Sequence, residues 1–314
     1  MSFSRGRLIG CMVVGAALLL SPASGDASES LSDNSARTLR LSTGKPAHVK
    51  TPRAYKRKVR QRPAPPAGIL LKDLTTGEIL FQENADQPMA PASLTKIMSA
   101  IVILEEGNLD DHVTVSRHAA AAHRTKLHLK PGQVLPLRGL LEAMLIRSAN
   151  DACLAAVEHV AGDEDSFVEK MNAKAVAIGL TRTHFQNACG FDMPEHYSTA
   201  EELAALTEYA MAQETFAAIV KEPSAVIHTA DQRKTYIART TNRLLGTMEG
   251  VIGVKTGFTR GAGRCLIAVV SREEKELLLV LLNARHRWGR AQNLIEYGLR
   301  SPDSSQSHSH AKPN

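Results

Sequence analysis

Ser93 and Lys96 stand three residues apart in Pro91-Ala92-Ser93-Leu94-Thr95-Lys96. On a helix that spacing puts hydroxyl and amine on one face, one turn apart. A lysine so placed can take the hydroxyl proton and leave a nucleophilic oxygen. Two more polar clusters have types that fit the same chemistry. Ser148-Ala149-Asn150 falls where two helical patterns break, so its side chains can line a cleft. Lys255-Thr256-Gly257 ends a strand-like run, and Gly257 lets a ligand approach the backbone. Singly, each has an ordinary explanation: a polar helix start, an N-cap for the helix after Asn150, an edge strand entering a turn. Together and in this order they read as one multi-part site.

These clusters need elements to hold them. Ile97, Ala100, Ile101 and Leu104 follow Ser93 at helical spacing, so the Ser93 helix is predicted to bury one apolar face. Strands are expected at 68–74 and 78–82 around Thr75-Thr76-Gly77. A largely helical stretch follows, with helices at 137–147, 151–161 and 163–178. A capping box at Thr199-Ala200-Glu201-Glu202 opens another, to about residue 213. Past Ser224 the pattern turns to strands at 225–229, 235–239 and 251–256. Apolar runs at 264–271 and 276–282 form a second hairpin, and an amphipathic helix at 287–299 closes the fold. Strands at both ends with helices between predict an α/β fold: a mainly antiparallel sheet flanked by helices, plus an inserted all-helical lobe. The groove between them is the natural place for a site.

Composition sets the surroundings. The chain has 314 residues, 43% hydrophobic and 22% charged, as a globular protein does. Its net charge of +6 is unevenly spread. Residues 37–62 hold ten Lys/Arg and no Asp/Glu, whereas residues 67–300 hold 25 Lys/Arg against 28 Asp/Glu. A folded part with no basic excess argues against a nucleic-acid partner. Residues 1–25 have the three parts of a secretory signal: Arg5 and Arg7, an apolar run at 8–20, and Ala23-Ser24-Gly25. That run falls short of the roughly 20 residues a membrane span needs. Leu8-Ile9-Gly10-Cys11 resembles a lipoprotein box but precedes most of the apolar run, so lipidation is discounted. Residues 26–66 are polar, basic and Pro-rich, predicting a disordered linker. Its charge suits weak, salt-screened contact with a membrane surface or cell-wall polymers. Residues 301–314 are expected to be a disordered tail too polar to anchor. The expected destination is therefore periplasmic or secreted, without a C-terminal anchor.

Past the signal, Cys153, Cys189 and Cys265 are too few for a disulfide framework and read as buried small apolar residues. Whether one pair bridges is left open at this point. None of the twelve His residues forms H-E-x-x-H, and His118 and His123 are five apart, off one helical face. No metal or other cofactor is expected.

Over residues 66–300 the chain resembles the serine-type D-alanyl-D-alanine carboxypeptidases among the low-molecular-mass penicillin-binding proteins. The resemblance rests on Ala92-Ser93-Leu94-Thr95-Lys96, Arg147-Ser148-Ala149-Asn150-Asp151-Ala152, Tyr197-Ser198-Thr199-Ala200 and Asn242-Arg243-Leu244-Leu245. It continues through Gly253-Val254-Lys255-Thr256-Gly257-Phe258-Thr259 and Ala262-Gly263-Arg264-Cys265-Leu266. It implies the fold shared with serine β-lactamases and a catalytic domain at 67–300. It also implies an acyl-enzyme on Ser93, formed from peptidoglycan stem peptides and trapped by β-lactam antibiotics. Lys96 is then the expected base, Ser148 a proton relay, and Asn150 a partner of the substrate amide or of Lys96. Lys255 and Thr256 are expected to bind the substrate carboxylate. The backbone N–H groups of Ser93 and Phe258 are expected to form the oxyanion hole, Gly257 to admit the substrate, and Arg290 to be a further carboxylate ligand. Many relatives carry a second, β-rich domain and a membrane-anchoring helix, and neither is expected here, since residues 301–314 are too polar to anchor. A class A β-lactamase needs a Glu-x-x-Leu-Asn loop, and none occurs between Asn150 and Lys255. A non-catalytic cell-wall binding protein of the same fold is at odds with five intact polar residues.

Overall fold

The structure is a computed structural model that describes residues 66–272 and 274–301. By internal contacts the chain divides into two units, Met1–Arg60 and Gln61–Asn314. The predicted signal peptide, nearly all of the linker, and the tail beyond Ser301 lie outside the described residues.

Apolar runs from the two ends of the second unit pair with each other. β1 (Gly68–Asp73) and β2 (Ile79–Glu83) form the first hairpin. A 3-10 turn, Ala92–Thr95, leads into α1 (Lys96–Glu106). β3 (His112–Thr114), α2 (Arg117–Ala120) and β4 (Val134–Pro136) come next. α3 (Leu137–Glu142) runs into a π-helical turn, Ala143–Arg147, and α4 (Asn150–Ala161) follows. α5 (Glu164–Ala177), α6 (Ala200–Met211) and α7 (Glu214–Val220) complete the helical part. Two hairpin strands, β5 (Ser224–His228) and β6 (Thr235–Arg239), precede β7 (Val251–Thr259), β8 (Gly263–Arg272) and β9 (Lys275–Leu282). α8 (Arg287–Arg300) ends the described chain.

The main sheet has the order β2-β1-β9-β8-β7, and every neighbouring pair is antiparallel, as the sequence predicts. β8 and β9 are buried on both faces because alternate side chains enter different cores. Ile267, Val269, Leu278 and Val280 pack toward α1 and the helices, while Leu266, Ala268, Leu277 and Leu279 pack under Ala291 and Ile295 of α8. Full burial of each such side chain contributes about 2 kcal/mol.

Three expectations change. The inserted lobe is not all helical: two-stranded sheets β3–β4 and β5–β6 accompany its helices. α1 is not one-sided either, since Lys96 through Ile103 are all buried. It is packed against α4, α5 and α6 and shares its core with side chains of β8 and β9. The capping box at Thr199 is half formed. Thr199 Oγ1 accepts the Glu202 N–H at 3.1 Å, but the Glu202 carboxylate turns away and accepts the Arg182 N–H at 2.7 Å and the Thr183 hydroxyl.

Candidate active site

Ser93 lies in the 3-10 turn ahead of α1, which begins at Lys96, three residues later than the sequence predicts. Ala92 holds a left-handed φ of 50°, a conformation that costs a non-glycine residue energy and that surrounding contacts must enforce. Those contacts are specific. Thr95 Oγ1 donates to the Ala92 carbonyl at 2.8 Å and meets His196 Nε2 at 2.8 Å. The Gln186 N–H donates to His196 Nδ1 at 3.0 Å, so Nε2 carries the ring proton and donates to Thr95. Burial pushes the His196 pKa down to about 4, with the neighbouring His184 and Lys96 charges acting the same way.

Lys96, fully buried as the first residue of α1, holds its amine 3.3 Å from Ser93 Oγ. The same Nζ donates to Asn150 Oδ1 at 2.8 Å and to the Cys189 carbonyl. Asn150 reaches it because the π-helical turn ends at Ser148 in a left-handed conformation, φ 64°, which breaks the helix and restarts it at α4. The other half of the Asn150 amide donates to the His123 carbonyl at 2.7 Å. Its neighbour Asp151, fully buried, accepts the Leu127 and Leu129 N–H groups at 3.0 Å each, so the 123–129 loop hangs on the start of α4.

β7 forms the opposite wall. Lys255 is buried, donates to the Thr256 carbonyl at 3.2 Å, and has its pKa lowered to about 7 by burial and then by the Arg287 charge. The Lys96 pKa is held well below the ordinary lysine value, first by burial and then by Lys255, with Glu164 opposing. Thr256 Oγ1 meets Thr241 Oγ1 at 2.5 Å. Gly257 packs against the Ser93 turn: a Cβ there would lie 3.1 Å from the Pro91 carbonyl oxygen and 3.2 Å from Ser93 N. Phe258 is 54% exposed, its side chain turned out under the Arg264 guanidinium.

One cavity of about 510 Å³ is lined by Ser93, Ser148, Asn150, Thr256, Gly257 and Phe258, with Thr241, Arg124 and Arg287 among its other walls. Three sequence clusters, far apart along the chain, thus meet in one pocket. A family model described as D-alanyl-D-alanine carboxypeptidase matches residues 59–286. The chain belongs to this family.

Among its relatives, D-alanyl-D-alanine carboxypeptidase DacF of Bacillus subtilis is 33% identical over 68% of this chain and 56% of its own length. DacC of Escherichia coli is 36% identical over 74% of this chain and 60% of its own. The chain therefore spans less than two thirds of those two relatives. The crystal structure of a D-alanyl-D-alanine carboxypeptidase from Mycobacterium tuberculosis superposes with a TM-score of 0.71 at 30% identity, covering 78% of this chain and 96% of the other.

Three expected site residues of this carboxypeptidase-family chain are not in the cavity wall: Lys96 and Lys255, both buried, and Arg290. Arg290 forms an ion pair with Glu83 of β2 and does not line the cavity. Arg287, three residues earlier at the start of α8, does line it, and its Nη1 donates to the Gly257 and Cys265 carbonyls at 2.8 and 2.9 Å. Thr241, the Cys189 carbonyl and the loop around Arg124 were also missed, since none has a local sequence signal. Cys153 and Cys189 form a disulfide, while Cys265 is free and buried.

Proposed function

We propose that the protein is a serine D-alanyl-D-alanine carboxypeptidase that removes the terminal D-alanine from peptidoglycan stem pentapeptides. The observation that carries this reading is a buried amine, depressed in pKa, within 3.3 Å of the Ser93 hydroxyl. Lys96 takes the hydroxyl proton as Ser93 attacks the penultimate D-alanine carbonyl. The Ser93 and Phe258 N–H groups receive the developing oxyanion, for which the close packing at Gly257 brings the two backbones together. Ser148 relays the proton to the leaving amine. Lys255, Thr256 and Gly257 form the anchor for the substrate carboxylate. Arg287 takes the place that Arg290 was expected to fill, because it borders the pocket beside Thr241. Water then hydrolyses the Ser93 ester, and β-lactams occupy the same serine as slowly released esters. Residues 67–300 form the catalytic domain in this reading. Export to the periplasm or medium fits a cell-wall substrate and the signal pattern at 1–25. No described helix is long and apolar enough to cross a membrane.

The test pairs D-alanine release from a pentapeptide with intact mass after penicillin. One adduct, absent in Ser93→Ala, together with D-alanine release abolished in the same variant, is expected. An adduct that persists in Ser93→Ala would sink the assignment. Penicillin turnover within seconds would mean a β-lactamase, and no D-alanine release at all a binding protein.

A further inference from the structure

Glu164, the first residue of α5, belongs to none of the three polar clusters and is absent from the cavity wall, yet it reaches the site by two routes. The first is backbone geometry. Its Oε1 accepts the Ala188 N–H at 2.9 Å, and the Ala188 carbonyl accepts the Ser99 hydroxyl of α1 at 2.6 Å. Residue 188 is therefore pinned from both sides, by α5 and by the helix that carries Lys96. The turn after it is held by Asn187, whose Oδ1 accepts the Gly190 and Phe191 N–H groups at 2.7 and 2.9 Å. Between these fixed points lies Cys189, and its carbonyl accepts from Lys96 Nζ.

The second route is charge. Lys96 is fully buried; burial and then the Lys255 charge on β7 disfavour its ammonium form, while the Glu164 carboxylate favours it. Charged groups on the other elements around α1 have different partners. Asp151 on α4 faces the 123–129 loop, Glu202 on α6 faces Arg182 and Thr183, and Arg147 of the π-helical turn donates to the Lys126 carbonyl. His196, with a pKa of about 4, is neutral at ordinary pH. A buried base meets its largest electrostatic cost when it accepts the proton, because the amine becomes an ammonium in a low-dielectric site beside a second lysine. We infer that Glu164 is a positioning residue for acylation: it aims the Cys189 carbonyl at the Lys96 amine and supplies the negative charge that offsets the ammonium formed as Ser93 reacts. This rests on the carboxypeptidase reading of the Ser93 site and deepens it. The Ser93 proton passes to Lys96 Nζ as Oγ bonds the substrate carbonyl carbon, and goes on through Ser148 to the leaving nitrogen as the C–N bond breaks. Glu164 itself gives and takes no proton.

Two variants of the full chain separate the routes, read by the first-order acylation rate at saturating penicillin between pH 5 and 9.5. Glu164→Gln keeps an oxygen for the Ala188 N–H and removes the charge. Because the carboxylate raises the Lys96 pKa, its removal lets the amine lose its proton at lower pH, so the acid limb of the profile should move to lower pH. The plateau should fall about fivefold, the scale of a partly exposed charge pair. Glu164→Ala removes acceptor and charge together. It should displace the acid limb equally and lower the plateau by about a further tenfold, as the Cys189 carbonyl loosens. A Glu164→Gln profile that superposes on the wild type overturns the inference. So does an equal fall at every pH in both variants with the acid limb in place, which is what a purely structural role gives. If Glu164→Ala does not fold, the position of the acid limb in Glu164→Gln decides alone. In either failure wild-type acylation at Ser93 and D-alanine release continue, so the carboxypeptidase reading stands. A wild-type protein with no penicillin adduct and no D-alanine release removes both readings.

Discussion

His196 donates from Nε2 to Thr95 Oγ1 at 2.8 Å, and Thr95 is the last residue of the Ser93 turn, next to Lys96. Because Nδ1 accepts the Gln186 N–H, the ring works only when neutral. Its pKa, about 4 in the folded protein against an ordinary 6.5, means the unfolded chain binds more protons between those values. The stability contribution is therefore complete above pH 6.5 and is lost as pH falls through 4. It amounts to about 3 kcal/mol by linkage. His196→Gln should flatten the acid limb of a pH–stability curve measured by urea unfolding. A curve with the same acid slope in both proteins would refute the placement.

Lys255 gives the activity its own pH dependence. With a pKa near 7, the anchor loses its charge as the pH rises past neutrality, so KM for a carboxylate substrate should rise on the alkaline side. Lys96 is also depressed, first by burial and then by the Lys255 charge, which favours the neutral amine that a general base needs. Lys255→Arg keeps the charge at all accessible pH and should abolish the alkaline rise in KM. Its kcat is expected to fall about tenfold, because a forked guanidinium does not fit the lysine site. A KM profile identical to the wild type would sink the argument. Steady-state kinetics from pH 5 to 9.5 decides it.

Asp151 holds the 123–129 loop by two backbone hydrogen bonds of 3.0 Å, and that loop supplies the His123 carbonyl that orients Asn150. Asp151→Ala leaves two buried N–H groups unsatisfied, at a cost of about 3 kcal/mol. It should also loosen Asn150, so that penicillin acylation slows more than tenfold while Asp151→Asn, which keeps one acceptor, is milder. Equal acylation rates in all three proteins would show that the loop does not orient Asn150.

The sequence shows the site better than it shows what braces it. Ser93 with Lys96, and Ser148 with Asn150, are legible because short spacing on a helix, or at its break, leaves a local pattern. The long apolar runs of β8 and β9 are legible because burial on both faces leaves no alternation to misread. Arg287 and Arg290 differ by three residues at one helix start, and only the way α8 lies over β8, β9 and β1 puts the first at the cleft and the second on Glu83. β3 and β4, three residues each, are too short for any period to register. Thr95 and His196, or Cys153 and Cys189, are partners across long stretches of chain, which composition cannot pair.

Gly257 packs directly against the Ser93 turn. A methyl group there would sit 3.1 Å from Ala92 Cβ and from the Pro91 oxygen, both fixed by the strained Ser93 turn. Because two of the three contacts are backbone atoms, β7 or the Ser93 turn has to give by a few tenths of an ångström to admit Gly257→Ala. In the proposed mechanism that shift moves the Phe258 N–H off the oxyanion, and losing one such donor costs about a hundredfold or more in rate. Penicillin acylation of Gly257→Ala should slow by about that factor with the protein still folded by circular dichroism. A rate within threefold of the wild type would show that the strand is not the donor's support.

The Cys153–Cys189 bridge joins α4, one turn past Asn150, to the residue whose carbonyl accepts from Lys96. Both acceptors of the base are thus fixed to each other by a covalent link that closes a loop of 36 residues. Chain-entropy reasoning gives such a loop about 4 kcal/mol of stabilisation. In a domain of this size that corresponds to a fall of about 10 °C in Tm on reduction. Calorimetry with and without a phosphine reductant measures it, and Cys153→Ser combined with Cys189→Ser should melt at the lower temperature and ignore reductant. The double variant should also acylate more slowly, since Asn150 and the Cys189 carbonyl no longer hold Lys96 from two sides at a fixed separation. If reduction lowers Tm while acylation is unchanged, the bridge stabilises the fold without positioning the base. If neither changes, the two cysteines are not joined in the native protein.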